Sequence, residues 1–184
     1  MDEKLFAECV KSVRTYKGAR MEILLCIVLT LVNLFAMFGD TYFLFSIYIS
    51  TLFFHSGYLM RAQAIELGDA LTGGIYLGVG ITLGIIILIV YLILFLLSKK
   101  SLGCLIAIAV LFSIDTIFVV IDIISEPSNF IDLIIHGFVL FTIIRGIVSA
   151  KKYAAHLPNG VQTTEKDLAV IYEEYKNQNS APQE

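Results

Sequence analysis

Charged residues are scarce in this sequence, and their scarcity excludes most soluble folds. Lys, Arg, Asp and Glu together make up 16% of 184 residues, where a soluble domain carries roughly a quarter. Basic clusters are absent and the net charge is −3, which argues against a nucleic-acid surface and leaves no nucleic-acid partner in view. No P-loop, GxGxxG, HExxH or CxxC pattern occurs, so nucleotide, dinucleotide, zincin and thioredoxin-like chemistries gain no support. Cysteine is limited to Cys9, Cys26 and Cys104, an odd set without disulfide spacing. Small apolar fillers is the plain reading of all three, with palmitoylation or redox sensing as the alternative. No internal repeat is evident, so an inverted-repeat transporter architecture gains nothing.

What the chain has instead is apolar length. Hydrophobic residues reach 58% and mean hydropathy is +0.84. Residues Ile23 to Phe38, Ile75 to Leu97, Leu102 to Ile124 and Phe130 to Val148 each approach the ~20 residues a spanning helix needs. The first begins too late, and runs too long, for a secretory signal, and no small-x-small cleavage site follows it. It is expected to be a retained span. A fifth apolar stretch, Tyr42 to Met60, is nearly as long, and charge decides its status. If it does not cross, every basic residue but Arg61 falls on the side of both termini. If it does cross, the basic residues divide almost evenly. Cytoplasmic flanks accumulate Lys and Arg, so four spans are expected, in the plasma membrane, with both termini cytoplasmic. The polar seam Ser46, Ser50, Thr51, His55, Ser56 and Gly57 then marks 41–61 as an outer re-entrant or interfacial segment.

The expected fold is therefore an all-α integral membrane protein. Residues 1–20 form an amphipathic helix on the inner leaflet, with Leu5, Phe6, Cys9, Val10, Val13 and Tyr16 on one face. Residues 21–150 form the transmembrane bundle, with spans at about 21–38, 75–98, 101–124 and 129–149. Gln63 to Gly74 reads as a polar outer loop. Residues 151–184 form a cytoplasmic tail with a short helix capped by Thr164. In the second long helix, Gly74, Gly78, Gly80 and Gly84 offer a face on which another helix can approach closely. That helix belongs either to the same chain or to a second copy in a homodimer.

Ionisable groups within spans need a partner or a role, because each costs at least ~2.5 kcal/mol to insert. Asp115 and Asp122 share one face of the third long helix, and Asp132 and His136 share one face of the last. Asp40 closes the first span, and His55 lies in the outer segment. These six could converge on one outer cavity, in a half of the protein where Asp40, Glu66, Asp69, Asp122, Glu126 and Asp132 face a single Arg61. Such a vestibule concentrates cations, and carboxylate with imidazole suits zinc or another divalent ion. The plainer alternative has Asp122 and Asp132 capping helix ends, His55 packing as an aromatic, and Asp115 bonded to Ser or Tyr hydroxyls. Arg145 is expected to snorkel to headgroups, with a salt bridge to Asp115 as the alternative.

The runs Val32-Asn33-Leu34 with Asp40-Thr41-Tyr42-Phe43-Leu44-Phe45-Ser46, Leu111-Phe112-Ser113-Ile114-Asp115-Thr116 and Ile131-Asp132-Leu133-Ile134-Ile135-His136 resemble signatures of an uncharacterised family of small bacterial multi-pass membrane proteins. The resemblance spans residues 20 to 155. It implies the membrane architecture, draws attention to Asp40, Asp115, Asp132 and His136, and brings no activity with it. Three functions stand open. The first is a non-enzymatic accessory or regulator that binds a partner in the bilayer. The second is a carrier of protons, metal cations or a small solute. The third is a metal-dependent hydrolase acting on a lipid, with metal-bound water as nucleophile.

Overall fold

A computed structural model describes residues 2–37, 46–125 and 130–180, and among these the regular structure is entirely helical. Six α-helices follow in order: α1 (Glu3–Ala36), α2 (Tyr48–Glu66), α3 (Ala70–Ser98), α4 (Leu102–Ser125), α5 (Phe130–Lys152) and α6 (Glu165–Ser180). Four of them, α1, α3, α4 and α5, are long and apolar enough to cross a membrane. Lipid-facing positions such as Ile86, Ile117 and Phe141 are exposed. A bilayer turns that exposure from a liability into a requirement.

The inner surfaces of the bundle meet in one core. It joins Ile23, Cys26 and Ile27 of α1 to Leu88 and Tyr91 of α3, Leu105, Ile108 and Phe112 of α4, and Val139 and Ile143 of α5. Gly146 of α5 lets α1 come close, since a Cβ there would lie 2.6 Å from the Ala19 side chain.

Three expected features take a different form. The amphipathic helix and the first span are one unbroken helix of 34 residues, about 51 Å long at 1.5 Å per residue. That exceeds the ~30 Å hydrocarbon thickness, so the N-terminal part of α1 projects beyond the bilayer instead of lying along a leaflet. The apolar face expected to rest on lipid packs on protein: Cys9 is buried with Leu157 and Leu168, and Phe6 stacks on Tyr172 of α6. Both termini of the described chain thus lie on one side of the bundle. Secondly, Gln63 to Gly74 is no loop. Helix α2 continues to Glu66, and α3 starts at Ala70 after a tight turn. Gly68 supplies the left-handed conformation there (φ 83°), and Asp69 caps α3 by accepting from the Thr72 N–H at 3.0 Å. Thirdly, the helix expected to be short, α6, runs for 16 residues to Ser180. Its start is a capping box: Asp167 N–H donates to Thr164 Oγ1, and Thr164 N–H donates to Asp167 Oδ2.

Helix α2 is the re-entrant element. It runs antiparallel to α3, with Ser50 beside Gly84, Gly57 beside Gly80, and Arg61 beside Gly73. Its first amide, at Ile47, donates to Thr30 Oγ1. Thr30 lies seven residues before Met37 on α1, so the chain has returned about 10 Å into the bundle by Ile47. From there α2 climbs back toward the side opposite the termini. It begins within the bundle and is not among the helices long and apolar enough to cross a membrane.

Of the glycines, Gly80 and Gly84 make the close approach expected of them, together with Gly57 and Gly73. Gly74 and Gly78 do not, because a Cβ at either would meet nothing within 4 Å. The reason is helical phase. Gly73, Gly80 and Gly84 recur at seven and four residues on the stripe that faces α2, and the two open glycines lie off that stripe.

Candidate functional site: a capped helix start inside the bilayer

A helix that starts within hydrocarbon exposes its first N–H groups where no water can reach them. Here two other helices, α1 and α4, supply the acceptors. Thr30 Oγ1 takes the Ile47 N–H at 2.8 Å while donating to Cys26 O at 2.6 Å. Asp115 of α4 takes the next two amides, Tyr48 N–H on Oδ2 at 3.0 Å and Ile49 N–H on Oδ1 at 2.8 Å. Asp115 thus serves as the N-terminal cap of a helix 66 residues away in sequence, and its negative charge sits at the positive end of that helix's dipole. Its side chain is 0% exposed.

His136 of α5 closes the arrangement. Its Nδ1 lies 2.9 Å from the Asp132 carbonyl oxygen, and its Nε2 lies 3.1 Å from Asp115 Oδ2. A carbonyl only accepts, so Nδ1 carries a hydrogen. The contact between Nε2 and Oδ2 ties the imidazole to the capping carboxylate. Asp132 Oδ1 stands 3.4 Å from Nδ1 on the other side of the ring. Phe112 stacks on the imidazole with centroids 5.1 Å apart and fixes its plane.

The six residues singled out by their chemistry are distributed as follows. Asp115, Asp132 and His136 come together. Asp122 joins them at one remove, through a hydrogen bond with the Tyr48 side chain. His55 does not join, being exposed on α2. Asp40 lies outside the described residues. Arg145 is exposed on α5, and the partner of Asp115 is His136 in its place. Among the described residues, no group of three or more His, Cys, Asp or Glu side chains is arranged to hold a metal ion. The carboxylate most central to such a site has both oxygens committed to backbone amides.

Thr30 and Tyr48 were not legible as members of this site. An intrahelical threonine gives no sequence signal of a tertiary cap, and the groups it serves are main-chain atoms. One polar atom stays unsatisfied nearby. Tyr91 of α3 is 4% exposed and its hydroxyl has no hydrogen-bond partner.

A second polar assembly lies at the termini. Arg14 Nη2 donates to Glu165 Oε2 at 2.7 Å, and the Tyr153 hydroxyl donates to Glu8. The Arg14 hydrogen bond holds the Glu165 carboxyl below its ordinary range, and the Thr164 amide does the same for Asp167. Comparison of the chain with family models, curated proteins and solved structures finds no match.

Proposed function

We propose that this chain is a non-enzymatic accessory or regulatory protein of the plasma membrane, with both termini in the cytoplasm, that binds a partner within the bilayer. One observation carries the reading: the buried polar cluster is spent on the fold itself. Both oxygens of Asp115 and both ring nitrogens of His136 are engaged by groups of this chain. A transport or catalytic site keeps donors or acceptors for its ligand, whereas these close on a helix terminus. A second copy of the chain and a different membrane protein are both admissible partners.

The test is reconstitution. Proteoliposomes holding the full chain should show proton and divalent-cation fluxes equal to those of protein-free vesicles. A photo-crosslinking residue at exposed Ile75 or Val79 should give one discrete, saturable protein adduct in cells. A saturable flux lost in Asp132→Asn would overturn the reading.

One observation favours a second reading, a proton or metal-cation carrier. The Tyr91 hydroxyl has no hydrogen-bond partner and is buried in the same core as Phe112, which stacks on His136, and buried polar groups without partners mark sites where a water or ion completes the set. The same flux measurement separates the two.

A further inference from the structure

We infer that the corner formed by Arg20 and the α3–α4 turn binds the phosphate of an anionic phospholipid in the leaflet on the side of the termini. The argument starts from depth. The apolar run of α1 begins at Ile23, three residues after Arg20, and that of α3 ends directly before Ser98, Lys99 and Lys100. Arg20 Nε donates to Ser98 Oγ at 2.9 Å, and the Tyr16 hydroxyl donates to Ser98 O at 2.6 Å. These bonds tie the two hydrophobic boundaries to one level, which is where lipid headgroups sit.

The second step is charge. Arg20 is half-buried, held by Ser98 Oγ, by Phe95 O at 3.3 Å, and by the Phe95 ring 5.0 Å from its guanidinium carbon. A guanidinium has five N–H donors, and these contacts use two. The ion pairs of the described residues involve Arg14 and His136, not Arg20, Lys99 or Lys100. Glu22, the carboxylate nearest to Arg20 in sequence, makes none either. A half-buried cation without a counter-charge is costly, and a fixed guanidinium fork matches a phosphate. Lys99 and Lys100 are exposed at the end of α3, free to swing onto the same headgroup. Helix α4 starts at the same corner and adds the positive end of its dipole. At that depth the abundant anion is the phosphate of a lipid.

The experiment titrates the purified full chain, in a zwitterionic detergent, with short-chain phosphatidylglycerol, short-chain phosphatidylcholine or inorganic phosphate. Lipid adducts are counted by native mass spectrometry, and the melting temperature is followed in parallel. Phosphatidylglycerol should bind at least tenfold tighter than phosphatidylcholine and raise the melting temperature more. The double variant Lys99→Gln/Lys100→Gln, whose side chains pack on nothing, should lose roughly 10- to 30-fold in phosphatidylglycerol affinity. Arg20→Gln should lose more, and if that variant fails to fold the lysine pair decides alone. Equal binding of the two lipids, or unchanged phosphatidylglycerol binding in the lysine variant, would overturn the inference. Competition by inorganic phosphate at matched concentration would also overturn it, by assigning the corner to free phosphate.

Discussion

Replacing Gly80 with Ala adds one methyl group where the backbones of α2 and α3 press together. The new Cβ would lie 2.6 Å from Phe53 O and 2.9 Å from Gly57 Cα. Both are backbone atoms of α2, so no side chain can rotate away, and the two helices must separate by several tenths of an ångström. Overpacking of that kind costs about 1–3 kcal/mol. Separation also stretches the 2.9 Å hydrogen bond from Ser50 Oγ to Gly84 O one turn deeper, worth about 1 kcal/mol more. The total expected loss is thus about 2–4 kcal/mol. Gly78→Ala is the internal control. Its Cβ meets nothing within 4 Å, so the change should stay within about 0.5 kcal/mol of wild type. Unfolding in mixed micelles, followed by circular dichroism at a fixed detergent ratio, gives both numbers under one condition. Equal stability of the two variants, or a greater loss for Gly78→Ala, would refute the α2–α3 contact from which the re-entrant assignment is built.

Other expectations follow from the same geometry. Asp115→Asn replaces one of two accepting oxygens by an NH₂ that faces a backbone N–H donor, and removes the charge, so it should destabilise by about 2–4 kcal/mol in the same unfolding assay. Asp122→Asn, which touches only a side chain, should cost far less. Because Arg14 depresses the Glu165 pKa, that contact supports α6 docking above the ordinary carboxylate range and is lost as pH falls through the depressed value. Limited proteolysis of α6 should therefore accelerate in acid, and a Glu165→Gln variant should show a smaller acceleration, the remainder coming from Asp167 of the capping box, whose carboxyl is also held low. In a cysteine-free background, Lys4→Cys and Glu66→Cys should label from opposite sides of the membrane. Labelling of both from one side would restore a crossing for Tyr42 to Met60.

The spans were legible because hydrocarbon imposes a length and a composition that few other environments demand. The fifth stretch was harder. Its hydropathy matched a span, and only the distribution of Lys and Arg argued otherwise, a signal about topology and not about contacts. That it is a helix whose start lies against Thr30 and Asp115 could not be read, because the decisive partners are main-chain amides and every residue has one. Asp115 and the Asp132/His136 pair were recognisable as anomalies, since charge in a span always needs an account. Their use as a cap was invisible: it depends on Ile47 to Ile49 stopping beside them, which tertiary packing fixes. The glycines show the same limit. Gly74 and Gly80 sit on comparable GxxxG patterns, and only helical phase against α2 separates the packed one from the open one.

The most direct measurement is amide hydrogen exchange at Ile47, Tyr48 and Ile49 in lipid nanodiscs, compared between wild type and Asp115→Asn. The first amides of a helix normally lack acceptors and exchange early. Here Thr30 and Asp115 supply them, so all three should be strongly protected in the wild-type chain. In the variant at least one of Tyr48 and Ile49, the amide left facing the NH₂, should lose protection while Ile47, held by Thr30, keeps more of its own. Rapid exchange of Tyr48 and Ile49 in the wild type, or protection that survives Asp115→Asn unchanged, would contradict the claim that this buried carboxylate exists to seat a re-entrant helix.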